Sequence, residues 1–192
     1  MIEEFEFRIA EFFGSPYAVA TDCCTHAIEL SLIHTGYNGI TVPTHTYLSI
    51  PMTCIKLGLD WTWKEEEWSD YYFLGGTNIV DAAVLWGEGT YVPNTFMCLS
   101  FQFKKHLSLG RGGMILLQDK GDYDTLKKMS YDGRDFNRPW AEQDITSMGY
   151  HYYMTPEVAK TGIELLESRK KSPAKKWSHK DYPYLPNMSV FK

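Results

Sequence analysis

Ile2, Phe5, Ile9, Phe12 and Phe13 recur at helical spacing along residues 2–13, and Gly14 directly after them suits a left-handed helix stop. Tyr17-Ala-Val-Ala20 is an apolar run of strand length. It leads through the polar stretch Thr21–His26 into Ala27, Ile28, Leu30, Leu32 and Ile33, which resume helical character. Ile40-Thr-Val42 before Pro43 predicts a second buried strand, and Leu48 to Leu57 a helix after it. Asn78-Ile-Val80 ending at Asp81, Phe96 to Phe101, and Met114 to Leu117 predict three more strands. Residues 121–131 and 155–170 predict later helices, the second announced by Thr155-Pro-Glu157, a cap followed by a first-turn proline and a first-turn acid.

Short apolar strands alternating with helical segments predict an α/β fold with a mixed, mostly parallel sheet flanked by helices, with ligands at the carboxyl ends of the strands. The period ends near Lys170, which divides the chain into a unit of residues 1–170 and a tail or arm of residues 171–192. A length of 192 residues with 44% hydrophobic content fits one folded domain with a buried core, not a disordered chain. Nineteen Lys and Arg against 24 Asp and Glu leave a formal charge of −5, without the broad basic field that nucleic acid or an anionic membrane would require.

No apolar run approaches the ~18 residues of a membrane span. The acidic start Met-Ile-Glu-Glu-Phe-Glu-Phe is unlike a signal peptide. Cys23, Cys24, Cys54 and Cys98 have no Cys-x-x-Cys spacing, so neither a zinc site nor a disulfide framework is expected, and the thiols read as reduced in a cytoplasmic protein.

Four segments carry candidate chemistry: Asp22-Cys-Cys-Thr-His-Ala27, Val80-Asp-Ala-Ala83, Ser100-Phe-Gln-Phe-Lys-Lys105 and Leu109-Gly-Arg-Gly-Gly113. A lysine beyond one strand end, an acid at another, and a threonine in a turn that opens a helix are three parts that pyridoxal phosphate chemistry needs. The amine condenses with the cofactor aldehyde, the acid keeps the pyridine nitrogen protonated, and hydroxyls at a helix start hold the phosphate. Each part has an ordinary reading as well. Lys105 alone is a solvated lysine, Asp81 a helix cap, and Thr25 and Ser100 turn residues.

Together, and in this order, the segments resemble the DegT/DnrJ/EryC1/StrS family of sugar aminotransferases, over roughly residues 4–170. Glu11-Phe-Phe-Gly14 is similar to the family's opening helix end, and Cys23-Cys-Thr-His-Ala-Ile28 to its Ser-Gly-Thr-x-Ala-Leu turn, with Cys24 in place of the glycine. Val42-Pro-Thr-His-Thr-Tyr47 resembles the family's Pro-x-x-Thr-Phe segment. Asp81-Ala-Ala83 resembles Asp-Ala-Ala-Gln with Val84 replacing the Gln, and Ser100-Phe-x-x-x-Lys105 matches Ser-Phe-x-x-x-Lys. Gly110-Arg-Gly-Gly113 stands for Gly-Glu-Gly-Gly, and Gly149-Tyr-His-Tyr-Tyr-Met-Thr155 for Gly-Tyr-Asn-Tyr-Arg-Met-Thr.

The resemblance implies an aspartate-aminotransferase-type (fold type I) large domain that binds pyridoxal 5'-phosphate, in a shortened form lacking most of the family's small domain. It makes Lys105 the Schiff-base lysine and Asp81 the partner of the pyridinium. The implied cofactor-binding set is Cys24, Thr25, His26, Tyr47, Asp81, Ser100, Gln102, Lys105 and His151. His26 and Tyr47 both remain candidates to cover the ring, and His151 is expected to reach a partner's phosphate in a homodimer with shared active sites. The implied reaction moves an amino group from an amino acid such as glutamate to a keto-sugar, nucleotide-linked in the family's manner. A non-catalytic or regulatory ligand-binding homologue is the alternative, since Cys24, Val84 and His151 all depart from the pattern. Lys105 argues against the family's dehydrating variants, which carry histidine there.

Overall fold

The computed structural model describes residues 1–192. The first helix, α1 (Ile2–Phe13), buries Phe5, Ile9 and Phe13 along one face. It stops at Gly14, where φ of 81° places the backbone in the left-handed region that costs glycine least. Strand β1 (Tyr17–Thr21) and helix α2 (Cys24–Thr35) follow, then β2 (Ile40–Pro43) and α3 (Ser49–Lys56). Next come β3 (Trp61–Lys64), β4 (Tyr72–Phe73), β5 (Ile79–Asp81), β6 (Phe96–Ser100) and β7 (Gly113–Leu117). The helices α4 (Lys120–Ser130) and α5 (Pro156–Lys170) complete the regular elements before a tail of short 3₁₀ turns.

The main sheet has the order β1-β7-β6-β5-β4, and β2 and β3 form a separate pair. Alternate residues of its central strands face two cores. Val19, Phe96, Cys98, Ile115 and Leu117 pack with α2 and α4 on one side. Ala18, Met97, Leu99, Met114 and Leu116 pack with Phe5, Ile9 and Leu166 of α1 and α5 on the other. The result is three layers, helices over both faces of one sheet.

Strand direction departs from the expected mostly parallel sheet. Only β5·β6 in the main sheet and β2·β3 outside it are parallel, whereas β1·β7, β6·β7 and β4·β5 are antiparallel. The physical reason is that an unbroken apolar run reports burial on both faces and says nothing of direction. Parallel neighbours require a crossover, and residues 101–112 between β6 and β7 contain no helix, so that connection folds straight back. The strands β3 and β4 fall outside the sequence-based expectation altogether. β3 alternates tryptophan with exposed residues, and two residues in β4 are too few to set a period.

The opposed directions still serve one end of the sheet. β1, β5 and β6 all run the same way, so Thr21, Asp81 and Ser100 finish along one edge. Gly113, the start of β7, pairs with Thr21 on one side and Ser100 on the other. The tail reaches the same edge. Leu185 is fully buried with its N–H donated to the Thr44 carbonyl, the His179 N–H bonds the Trp68 carbonyl, and the Asp70 N–H bonds the Trp177 carbonyl.

Candidate active site

At that edge the chain encloses a cleft of about 360 Å³, a size typical of small-molecule sites. Its wall includes Cys24 and Thr25 from the start of α2, Asp81 from the end of β5, Ser100 from the end of β6, and Gln102 and Lys105 from the connection after it. These six predicted residues are distant in sequence and meet only because β1, β5 and β6 share a direction. Tyr47 stands at the same cleft with its ring largely exposed.

Two predicted residues lie elsewhere. His26 is not part of the cleft wall. Its ring stacks on Tyr152 with centroids 3.6 Å apart, and its Nδ1 meets Asp22 Oδ1 at 2.6 Å. Burial works against its charge, but the hydrogen bonds and charges of Asp22 and Cys23 prevail and raise its pKa to about 9. In this arrangement His26 packs on Tyr152 and leaves the cleft wall to its neighbours. The reason is helical phase: Thr25 and His26 are successive residues of α2, roughly 100° apart around its axis, and only Thr25 lines the cleft. His151 is exposed and paired with Asp132 at 3.0 Å, outside the cleft of its own chain.

The end of the cleft at α2 is built for an anion. α2 has 12 residues, and its N-cap Cys23 makes no side-chain capping bond, so the first N–H groups of the helix and its positive dipole end are left for a ligand. Thr25 Oγ1 donates to Ser49 Oγ at 2.8 Å, and Ser100 Oγ lies beside the N–H of Gln102. α2 can start this close to the sheet only over a glycine. A Cβ at Gly113 would stand 2.3 Å from the Cys23 carbonyl carbon and 2.5 Å from the Cys24 nitrogen. Gly113→Ala is therefore expected to lower stability by about 1–3 kcal/mol, the usual cost of overpacking, because backbone must move. A melting temperature equal to that of the unaltered protein would show that the α2 start yields freely.

The same cleft holds a buried carboxylate suited to a cation. Asp81 is 6% exposed; its Oδ1 accepts the Ala83 N–H at 3.0 Å and its Oδ2 accepts the Tyr72 hydroxyl at 2.5 Å. Burial raises its pKa, against the pull of Tyr72, Ala83 and Lys105. Burial likewise lowers the pKa of Lys105, helped by Lys104 and opposed by Cys24 and Asp81. An ammonium that releases its proton more easily than usual is suited to acid and base work near neutrality. The remaining wall is aromatic, with Trp68 5.1 Å from Tyr72 and 5.4 Å from Tyr182. Sequence reasoning missed Tyr72, Trp68 and Tyr182. The first two fall in or beside a strand too short to read, and the third in a tail with no period.

At the mouth, Arg111 bonds Asp22 Oδ2 at 2.6 Å, which fastens the glycine-rich turn before β7 to the α2 start. The donor atoms of Asp22, Cys23 and His26 come within 4.8 Å of one another, with Asp22 engaged by His26 and Arg111. All four cysteines are free. No helix is long and apolar enough to cross a membrane.

A three-layer α/β domain thus gathers an uncapped helix start, a buried carboxylate and a half-buried lysine at one sheet edge. The chain belongs to the DegT/DnrJ/EryC1/StrS aminotransferase family, whose model matches residues 1–63 and 89–182. Among solved structures it is similar to AtS13 from Actinomadura melliaura, at 18% identity and a TM-score of 0.79 over 88% of this chain and 60% of that one. It is similar also to the sugar aminotransferase CalS13 from Micromonospora echinospora, at 15% identity and a TM-score of 0.74 over 88% and 61% of the two chains. The pyridoxal-phosphate form of Spr1654 from Streptococcus pneumoniae is similar at 17% identity, with a TM-score of 0.70 over 88% and 59%. At these identities the likeness is one of fold. The chain spans about three fifths of the length of these structures. No curated protein matches the sequence.

Proposed function

We propose that this chain is a pyridoxal-phosphate-dependent aminotransferase unit that moves an amino group from an amino acid, glutamate first among them, to a keto-sugar carried on a nucleotide. The observation that carries the reading is the meeting, in one cleft, of a half-buried lysine, a buried carboxylate and an uncapped helix start. The residues suit the cofactor. The α2 N–H groups with Thr25 and Ser100 would take its phosphate, Asp81 its ring nitrogen, Lys105 its aldehyde, and Tyr47 or Tyr182 offers an aromatic face. When bound, the cofactor supplies an electron sink for the carbon that exchanges its amine.

The chain's own part is binding and proton transfer. Lys105 Nζ takes a proton from the substrate carbon and returns one on the other side of the exchange, a role favoured by its lowered pKa. Asp81 keeps a positive charge at the ring end of the cleft, and the apolar wall of Trp68 and Tyr72 excludes water. Residues 1–170 would be the cofactor-binding unit, with residues 171–192 an arm that brings Tyr182 to it. A cytoplasmic homodimer with shared sites completes the reading: the four free thiols suit that compartment, and the exposed His151 is available to a second copy.

Absorbance tests the reading. Protein supplied with pyridoxal phosphate is expected to turn yellow, to lose that band with glutamate, and to regain it with a nucleotide-linked keto-sugar. A band that responds to no amino acid would support a ligand-binding role without turnover, and protein that never colours would overturn the cofactor assignment.

A further inference from the structure

Asp81 is held from the side by a residue that no motif announces. In the β4·β5 register Tyr72 lies directly opposite Asp81, and its hydroxyl donates to Asp81 Oδ2 at 2.5 Å. A phenol has one proton, so with that proton given to the carboxylate its oxygen accepts from Thr46 Oγ1, with which it is also hydrogen-bonded. The three groups form a buried line, Thr46 to Tyr72 to Asp81, at 2%, 5% and 6% exposure. Asp81 Oδ1 takes the Ala83 N–H. An ionised carboxylate has about four lone-pair positions, so these two donors leave the cleft-facing positions free for a third.

The groups around Asp81 make this line matter. Tyr72 faces it from β4, Cys98 from β6, Cys24 from α2, Tyr182 from the tail and Lys105 from the connection after β6. Of these only Lys105 is a cation, and burial weakens its charge. The task of keeping Asp81 ionised in a buried place therefore falls largely on hydrogen bonds, and Tyr72 provides the shorter of its two. β4 and β5 also lie within residues 64–88, the stretch between the two parts matched by the family model.

Resting on the function proposed above, we infer that Tyr72 is a positioning residue: its hydroxyl, backed by Thr46, keeps Asp81 ionised and turned toward the cleft, and so sets how firmly the site holds a protonated ring nitrogen. Tyr72→Phe removes the donor and keeps the ring against Trp68. In cofactor-free protein, infrared or carbon-13 titration of Asp81 is expected to show its midpoint displaced upward by about one to two pH units, the size of a lost charge-assisted hydrogen bond. Thr46→Val is expected to shift the midpoint the same way by less. Pyridoxal phosphate is expected to bind Tyr72→Phe about tenfold more weakly, and the deficit to grow as pH falls and more Asp81 is protonated.

A Tyr72 that only packs would leave the midpoint where it is, and an unmoved midpoint in both variants overturns the inference whatever the cofactor does. Unaltered protein that binds no pyridoxal phosphate overturns the function and the ring-holding part of the inference together. The midpoint reports the hold of Tyr72 on Asp81 independently of that result.

Discussion

Alanine in place of Lys105 is expected to leave a folded protein that cannot hold pyridoxal phosphate covalently. After borohydride reduction, mass spectrometry is expected to find the unaltered chain heavier by the cofactor and the Lys105→Ala chain unchanged. Transfer from glutamate is expected to fall by at least about 10²–10⁴-fold, the contribution of one placed acid–base group. The fold should survive because Lys105 is half-buried at the cleft and makes no ion pair with the core. Its stability signature has a definite sign. A lysine pKa lower in the folded than in the unfolded chain means that folding releases a proton, so Lys105 makes stability rise with pH between the folded value and the ordinary 10.5. The variant should lose that slope while melting within a few degrees of the unaltered protein at neutral pH. A reducible adduct that persists in Lys105→Ala would move the attachment to Lys104, the exposed amine beside it.

The second large effect lies in the core. Glu6 of α1 is 4% exposed at its side chain, and Lys127 of α4 is 11% exposed; they meet at 2.8 Å, and Glu6 also accepts the Ala20 N–H of β1 at 2.7 Å. One ion pair thus ties two helices to the strand beside the α2 turn. Removing Lys127 leaves a buried, unpaired carboxylate. Lys127→Ala should cost about 3–5 kcal/mol in chemical denaturation, equivalent to a melting temperature lower by on the order of 10 °C for a chain of this size.

Burial raises the Glu6 pKa above its ordinary 4.5, with Lys127 and the Ala20 N–H opposing, so loss of Lys127 drives it higher still. A raised folded pKa favours the folded state below the unfolded value and loses that contribution as pH rises through the folded one. The Lys127→Ala deficit should therefore be full at neutral pH and shrink as pH falls toward 4.5. Joint replacement, Glu6→Gln with Lys127→Met, should recover most of the loss, since an apolar or neutral pair avoids the buried charge. A deficit below about 1 kcal/mol would place this pair with ordinary surface ion pairs.

The elements legible in the sequence were those with a period or a cap. α1 showed its face in Ile2, Phe5, Ile9 and Phe13, and its end in Gly14. β6 and β7 showed themselves as apolar runs, and α5 opened on Thr155-Pro-Glu157. Six of the residues expected at the cofactor, from Cys24 to Lys105, share a wall because each follows a strand end, and strand ends are readable. His26 lies off the cleft wall, which a motif could not show because it gives a position along the chain but not the direction of its side chain. The 2.6 Å bond to Asp22 and the stack on Tyr152 hold it there. Tyr72 and Tyr182 were invisible because a two-residue strand and an aperiodic tail acquire structure only from what they pack against.

By itself the sequence determined a folded α/β domain with strands buried on both faces and a lysine, an acid and a helix-opening threonine at their ends. These follow from local rules: apolar continuity, capping and turn chemistry act within a few residues. Only the tertiary structure decided that β7 runs against its neighbours and that α2 rests over Gly113. It also decided that Tyr72 bonds Asp81 and that the tail lines the cleft. Each of those depends on two segments meeting across long stretches of chain, where the free energy is set by packing and buried hydrogen bonds that no single segment carries.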